Sequence, residues 1–88
     1  MQVTDVRIRI AAGESKLKAY AAVTFDGCFV VHNIKVLDGA NGLFLAMPTR
    51  ENAKGERRDV AHPINAEFRT ELQAKVIEAY NAELNAQA

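Results

Sequence analysis

The chain has 88 residues, 49% of them hydrophobic and 25% charged, and eleven Lys or Arg balance eleven Asp or Glu to a formal net charge of zero. That size admits one domain, residues 1–88, with a small core, and the neutral balance argues against a non-specific polyanion binder, which usually carries a basic domain. A single cysteine, Cys28, excludes a disulfide-stapled scaffold; no apolar run approaches the ~20 residues of a membrane span, and Met1 to Asp5 lacks a basic-then-apolar leader, so a cytoplasmic protein with no membrane association is expected.

Val3 to Ile10 alternates, with Val6, Ile8 and Ile10 on one face and Asp5, Arg7 and Arg9 on the other, the pattern of a half-buried strand. Ala11 to Ser15 reads as a turn. Leu17 to Phe25 is a second strand, with Leu17, Ala19, Ala21, Val23 and Phe25 on its apolar face. Asp26-Gly27 is a strong hairpin signal, because a type I′ turn needs positive φ at both central residues. Cys28 to Leu37 is a third strand. Simple alternation puts Val30, His32, Ile34 and Val36 on one face and Phe29, Val31, Asn33 and Lys35 on the other. Both faces begin apolar, which predicts a strand that is central at its start.

Asp38 to Gly42 reads as a loop, and the unbroken apolar run Leu43 to Met47, bounded by Gly42 and Pro48, as a buried fourth strand. Residues 49–58 show no usable period and read as an exposed loop, with Asp59 to Ala61 as a short edge strand. Pro63 forbids a central strand there. Asn65 is the expected N-cap of a helix over residues 65–83, with Glu67 in the first turn where the macrodipole favours negative charge. Phe68, Leu72, Val76, Tyr80 and Leu84 recur at every fourth position, giving an apolar stripe to lie on a sheet. Strands over about residues 2–47 followed by one helix predict an α+β fold: an antiparallel sheet built from hairpins, with a C-terminal amphipathic helix packed on one face.

The residues that could carry chemistry are few. His32 and His62 are thirty positions apart and no nucleophile motif accompanies either, so no catalytic residue and no metal set is assigned. His62 reads as a ring bonded to local backbone at the turn into the helix, and Cys28 as a small apolar residue at a hairpin end. The glycines match no phosphate-binding fingerprint, so no cofactor and no small-molecule substrate is expected. One cluster remains: Arg50, Lys54, Arg57 and Arg58 lie within nine residues, against Glu51 and Glu56, a local balance of +2. Arg and Lys donors on a loop can follow a phosphate backbone, and Arg bonds phosphate or guanine bidentately. From charge alone a solvated surface loop is the simpler reading. Arg7 and Arg9, on the outer face of the first strand, are candidates to extend the patch.

Four blocks in this order and spacing, Val3 to Arg9, Phe29 to Val36, Gly42 to Arg50 and Arg58 to Asn65, resemble the bacterial SpoVG family of septation proteins over Met1 to about Tyr80. The resemblance implies a small, cytoplasmic, homodimeric protein without enzymatic activity, linked to septum formation, to sporulation in spore-formers and to control of gene expression. It further implies site-specific DNA binding, with RNA binding also known in the family, through the segment between the Met-Pro turn and the His-Pro-Ile-Asn run. Here that segment holds Arg50, Lys54, Arg57 and Arg58. Arg57 stands where the family often has an aromatic residue, which adds charge and removes a stacking surface. The alternative is an adaptor in division or sporulation whose nucleic-acid binding is incidental; zero net charge, and five acidic against two basic residues from Asp59 onward, favour it.

Overall fold

The computed structural model describes residues 1–11 and 16–87. Its elements in chain order are β1 (Val3–Ile10), β2 (Leu17–Phe25), β3 (Phe29–Gly39), β4 (Gly42–Ala46), β5 (Thr49–Glu51), β6 (Arg57–Asp59) and α1 (Ala66–Gln87). The first four form one antiparallel sheet in the order β1-β2-β3-β4, and β5 and β6 form a separate two-stranded ribbon. The α+β class with a helix on one sheet face is as expected; most of the turn expected at Ala11 to Ser15 lies outside the described residues. No helix among the described residues is long and apolar enough to cross a membrane.

The β2–β3 hairpin closes at Asp26-Gly27, with φ of 52° and 66°, and the Cys28 N–H donates to the Phe25 carbonyl at 3.0 Å. The start of the chain is tied to this turn. Thr4 Oγ1 accepts from the Gly27 N–H at 2.9 Å, and the Gln2 N–H donates to Asp26 Oδ1 at 2.9 Å.

The core lies between the sheet and α1. Ala19, Ala21, Val23 and Phe25 of β2, Ile34 and Val36 of β3, and Leu72, Val76 and Tyr80 of α1 are buried. Of the stripe expected on α1, Phe68 is partly buried and Leu84 is 39% exposed. A repeat of four residues advances about 400° around a helix of 3.6 residues per turn, so such a row winds off the contact line within a few turns.

The helix begins as its cap predicts. Asn65 Oδ1 accepts from the Phe68 N–H at 2.7 Å, and the Asn65 carbonyl accepts from the Arg69 N–H at 3.1 Å. Asn65→Ala is therefore expected to cost about 1 kcal/mol, read as a lower urea midpoint at unchanged slope. His62 Nδ1 lies 3.0 Å from the Pro63 carbonyl, the local backbone contact expected of it.

Several readings of the strands change. The loop expected at Asp38 to Gly42 shortens, since β3 runs to Gly39 and β4 starts at Gly42, and the edge strand expected at Asp59 to Ala61 forms over Arg57–Asp59. Alternation along β3 breaks: Ala21 pairs with Ile34 but Val23 pairs with Val31, so β3 carries one extra residue at a bulge. Asn33 sits there at φ 64°, a left-handed conformation that Asn tolerates better than most residues. The bulge reverses the phase, so Phe29 and Val31 share the face of Ile34 and Val36, while Val30 lies opposite Thr24 on the open face. β4, expected to be buried, is an edge strand with one neighbour. Leu43 and Leu45 pack against the core, whereas Phe44 is 43% exposed and its ring covers Gly39, where an added Cβ would lie 2.8 Å from it.

Candidate functional site

The candidate site forms where the chain leaves β4. Met47 and Pro48 end the main sheet, and every residue from 49 to 60 is exposed. The stretch expected as an irregular loop is the β5–β6 ribbon. Its turn is organised by Asn52, whose N–H donates to the Glu56 carbonyl at 2.8 Å. Asn52 Oδ1 accepts from the backbone N–H groups of Lys54 at 2.9 Å and Glu56 at 3.0 Å. An Asn side chain holding backbone two residues on is a local turn device, and it carries the order that the missing hydrophobic period concealed.

Register sorts the cations. Arg50 pairs with Arg58, so the two guanidinium groups share one face; Glu51 pairs with Arg57 and Thr49 with Asp59 on the other. Like charges directly opposite one another weaken strand pairing, and the ion pair that offsets this is loose, with Arg58 Nη2 3.9 Å from Glu56 Oε2. Arg57 turns away from Glu51: its Nε and Nη2 donate to Thr49 Oγ1 at 3.1 and 2.9 Å. Lys54 lies in the turn. The four cations therefore divide into a pair on one face, one residue on the opposite face and one at the tip.

On the Arg57 side a groove of about 480 Å³ runs between the ribbon and β3. Arg57, Lys35, His32 and Asn33 line it beside apolar side chains that include Phe29, Val30 and Val60, and no Asp or Glu among the described residues lines it. The groove exists because β4 pairs only with Lys35 to Gly39. From Phe29 to Ile34 β3 is an edge on that side, the reverse of the central start expected from its two apolar faces. Phe29 is 61% exposed, Val60 65% and Val30 44%. Sequence reasoning missed Phe29, His32 and Lys35 as site residues. The run Phe29-Val30-Val31, apolar on both faces, was the available signal, and it was absorbed into the core reading.

Arg7 and Arg9 stand apart from the ribbon. They lie on β1, the far edge of the main sheet. Arg7 Nε is 3.1 Å from Asp5 Oδ2, and the Arg9 guanidinium stacks 5.3 Å from the centre of the Tyr20 ring. They share a shallow depression with His32 and Asn33, and through those two bulge residues they adjoin the Arg57 groove. Among the described residues no three His, Cys, Asp or Glu side chains gather as a metal site.

The family described as SpoVG matches residues 1–82. A relative from Caldicellulosiruptor saccharolyticus, named "Putative septation protein SpoVG", is 57% identical over 86 residues, which is 98% of this chain and 98% of its own. Relatives of the same name from Clostridium novyi and Acetivibrio thermocellus are 53% and 54% identical. They cover 97% and 93% of this chain and 85% and 87% of their own.

Proposed function

This chain belongs to the SpoVG family, and from that premise we propose that it is a non-enzymatic regulator of septum formation and sporulation. In this reading it works as a homodimer that holds DNA, and RNA by the same chemistry, through Arg50, Lys54, Arg57 and Arg58. The name of its relatives supports the septation role and describes no reaction. The observation that carries the nucleic-acid reading is the Arg50–Arg58 pair. Two guanidinium groups set opposite each other on an exposed ribbon repel, and a phosphate oxygen shared between them would relieve that repulsion with charge-assisted bonds. In a two-fold dimer the ribbons would act together, so that weak single contacts gain from avidity.

The test is fluorescence anisotropy with a labelled duplex of mixed sequence. Arg50→Ala with Arg58→Ala is expected to lower affinity about tenfold at low salt and to flatten the dependence of log K on log salt by about two per protomer. A double variant with the affinity and the salt slope of the parent chain would remove the ribbon from the interface. The adaptor reading keeps the support of the chain's zero net charge; a parent chain with no salt-dependent affinity for nucleic acid would favour it.

A further inference from the structure

We propose that the groove between β3 and the ribbon is a binding site for an unpaired nucleobase, so that the preferred ligand is single-stranded nucleic acid. This deepens the ribbon reading and rests on it. The two depressions beside the ribbon differ in the charge of their lining. The depression holding Arg50 and Arg58 also contains Glu51 and Asp59, two cations against two carboxylates. The groove holding Arg57 and Lys35 is lined by no carboxylate. Glu51 lies cross-strand from Arg57 but does not line the groove, and Arg57 bonds Thr49 instead, so the lining of the groove is cationic and a concave low-dielectric wall concentrates that charge.

The groove is apolar as well as cationic. The Phe29 ring is 61% exposed and lines the groove beside Val30 and Val60. A duplex presents phosphates and base edges to a protein and keeps its base faces stacked inside, so it offers this ring no complement. An unstacked base does: its face lies on an aromatic ring while flanking phosphates meet Arg and Lys. Two further features suit that occupant. Arg57 is held in place by its two bonds to Thr49 Oγ1, so little side-chain freedom is lost on binding. The edge of β3 from Phe29 to Ile34 has no strand partner on the ribbon side among the described residues, which leaves backbone donors and acceptors for the edge of a base. The volume of about 480 Å³ falls within the range of about 300–1,000 Å³ typical of ligand clefts.

The chain contains no tryptophan, so Phe29→Trp installs a single reporter in the groove. The ligands are a mixed-sequence strand of about twenty nucleotides and the duplex it forms with its complement, a length that spans a typical single-strand site. Emission of the Phe29→Trp variant is expected to be quenched by the strand, while a Phe44→Trp control, on the open face of the sheet, keeps its emission. Phe29→Ala is expected to weaken strand binding about tenfold and to leave duplex binding within about twofold, the size of effect that loss of one stacked base produces. Because Phe29 is mostly exposed, its substitution leaves the core intact, and matched urea midpoints verify this. Unquenched emission overturns the proposal. So does undiminished strand binding by Phe29→Ala; if Arg50→Ala with Arg58→Ala still loses affinity, the ribbon reading stands without the groove. Emission of the Phe29→Trp variant that shifts with protein concentration alone would mean that a second copy fills the groove, and would also overturn it.

Discussion

Replacing Leu72 by alanine is expected to remove about 3 kcal/mol of folding stability, within the 2–5 kcal/mol that Leu-to-Ala changes cost in packed cores. Leu72 is 2% exposed and belongs to the cluster that joins α1 to β2 and β3. Truncation removes its transfer energy and leaves a cavity that the sheet beneath cannot close, because Val36 is held by strand pairing on both sides and Ile34 by its pairing with Ala21. A domain of this size has roughly 5–10 kcal/mol in all, so the loss is a large share of the total. The measurement is urea unfolding, with a lower midpoint at constant slope. Leu84→Ala is the internal comparison. Leu84 occupies the same four-residue repeat but is 39% exposed, and its loss should stay within about 0.5 kcal/mol. Equal losses at the two positions would mean that the whole stripe, Leu84 included, lies on the sheet.

Asn33→Val is expected to cost about 2 kcal/mol. At φ 64° the residue occupies the left-handed region, where a non-glycine side chain pays roughly 1–2 kcal/mol and a β-branched one is a genuine outlier. The strain has a second outlet, which is to remove the bulge. A regular β3 would restore simple alternation and carry Phe29 and Val31 to the open face, exchanging them for Val30 and His32. That rearrangement would expose apolar surface now packed near Phe25 and Phe68, whose rings lie 5.8 Å apart, and would dismantle the groove. Asn33→Gly meets no steric penalty at this φ and should remain within about 0.5 kcal/mol of the parent chain. Urea midpoints separate the two variants. Amide exchange along Val31 to Ile34 shows which outlet Asn33→Val takes, since a shifted register changes which amides are protected. A valine variant as stable as the parent would mean that the bulge is not held by the conformation of Asn33.

The elements whose cause is local were legible from the residues alone. Asp26-Gly27 dictated a type I′ turn, and Asn65 dictated the start of α1. The 2-residue alternation of β1 and β2 gave their inward faces directly. The cationic cluster was legible as a composition, four positive residues within nine, but not as a geometry. Neither the division of Arg50 and Arg58 from Arg57 nor the distance of Arg7 and Arg9 from all three follows from spacing, because facing depends on strand register. The missing hydrophobic period over residues 49–58 suggested an irregular loop. An exposed two-stranded ribbon buries neither face, so it needs no period, and its turn is ordered by the Asn52 side-chain oxygen, which accepts from the backbone N–H groups of Lys54 and Glu56.

By itself the amino-acid sequence determined the class of fold, the Asp26-Gly27 turn, the helix cap and the family, since each rests on residue types read over a few neighbouring positions or on blocks in a set order. Tertiary structure alone decided which half of β3 is central and which half is an edge, where its phase reverses, and therefore that Phe29, Lys35 and Arg57 line one groove. The phase reversal depends on the bulge against β2, and the edge and the groove on how far β4 follows β3 before Pro48 turns the chain away. Pairing between strands distant along the chain sets that length, and no periodicity within either strand encodes it.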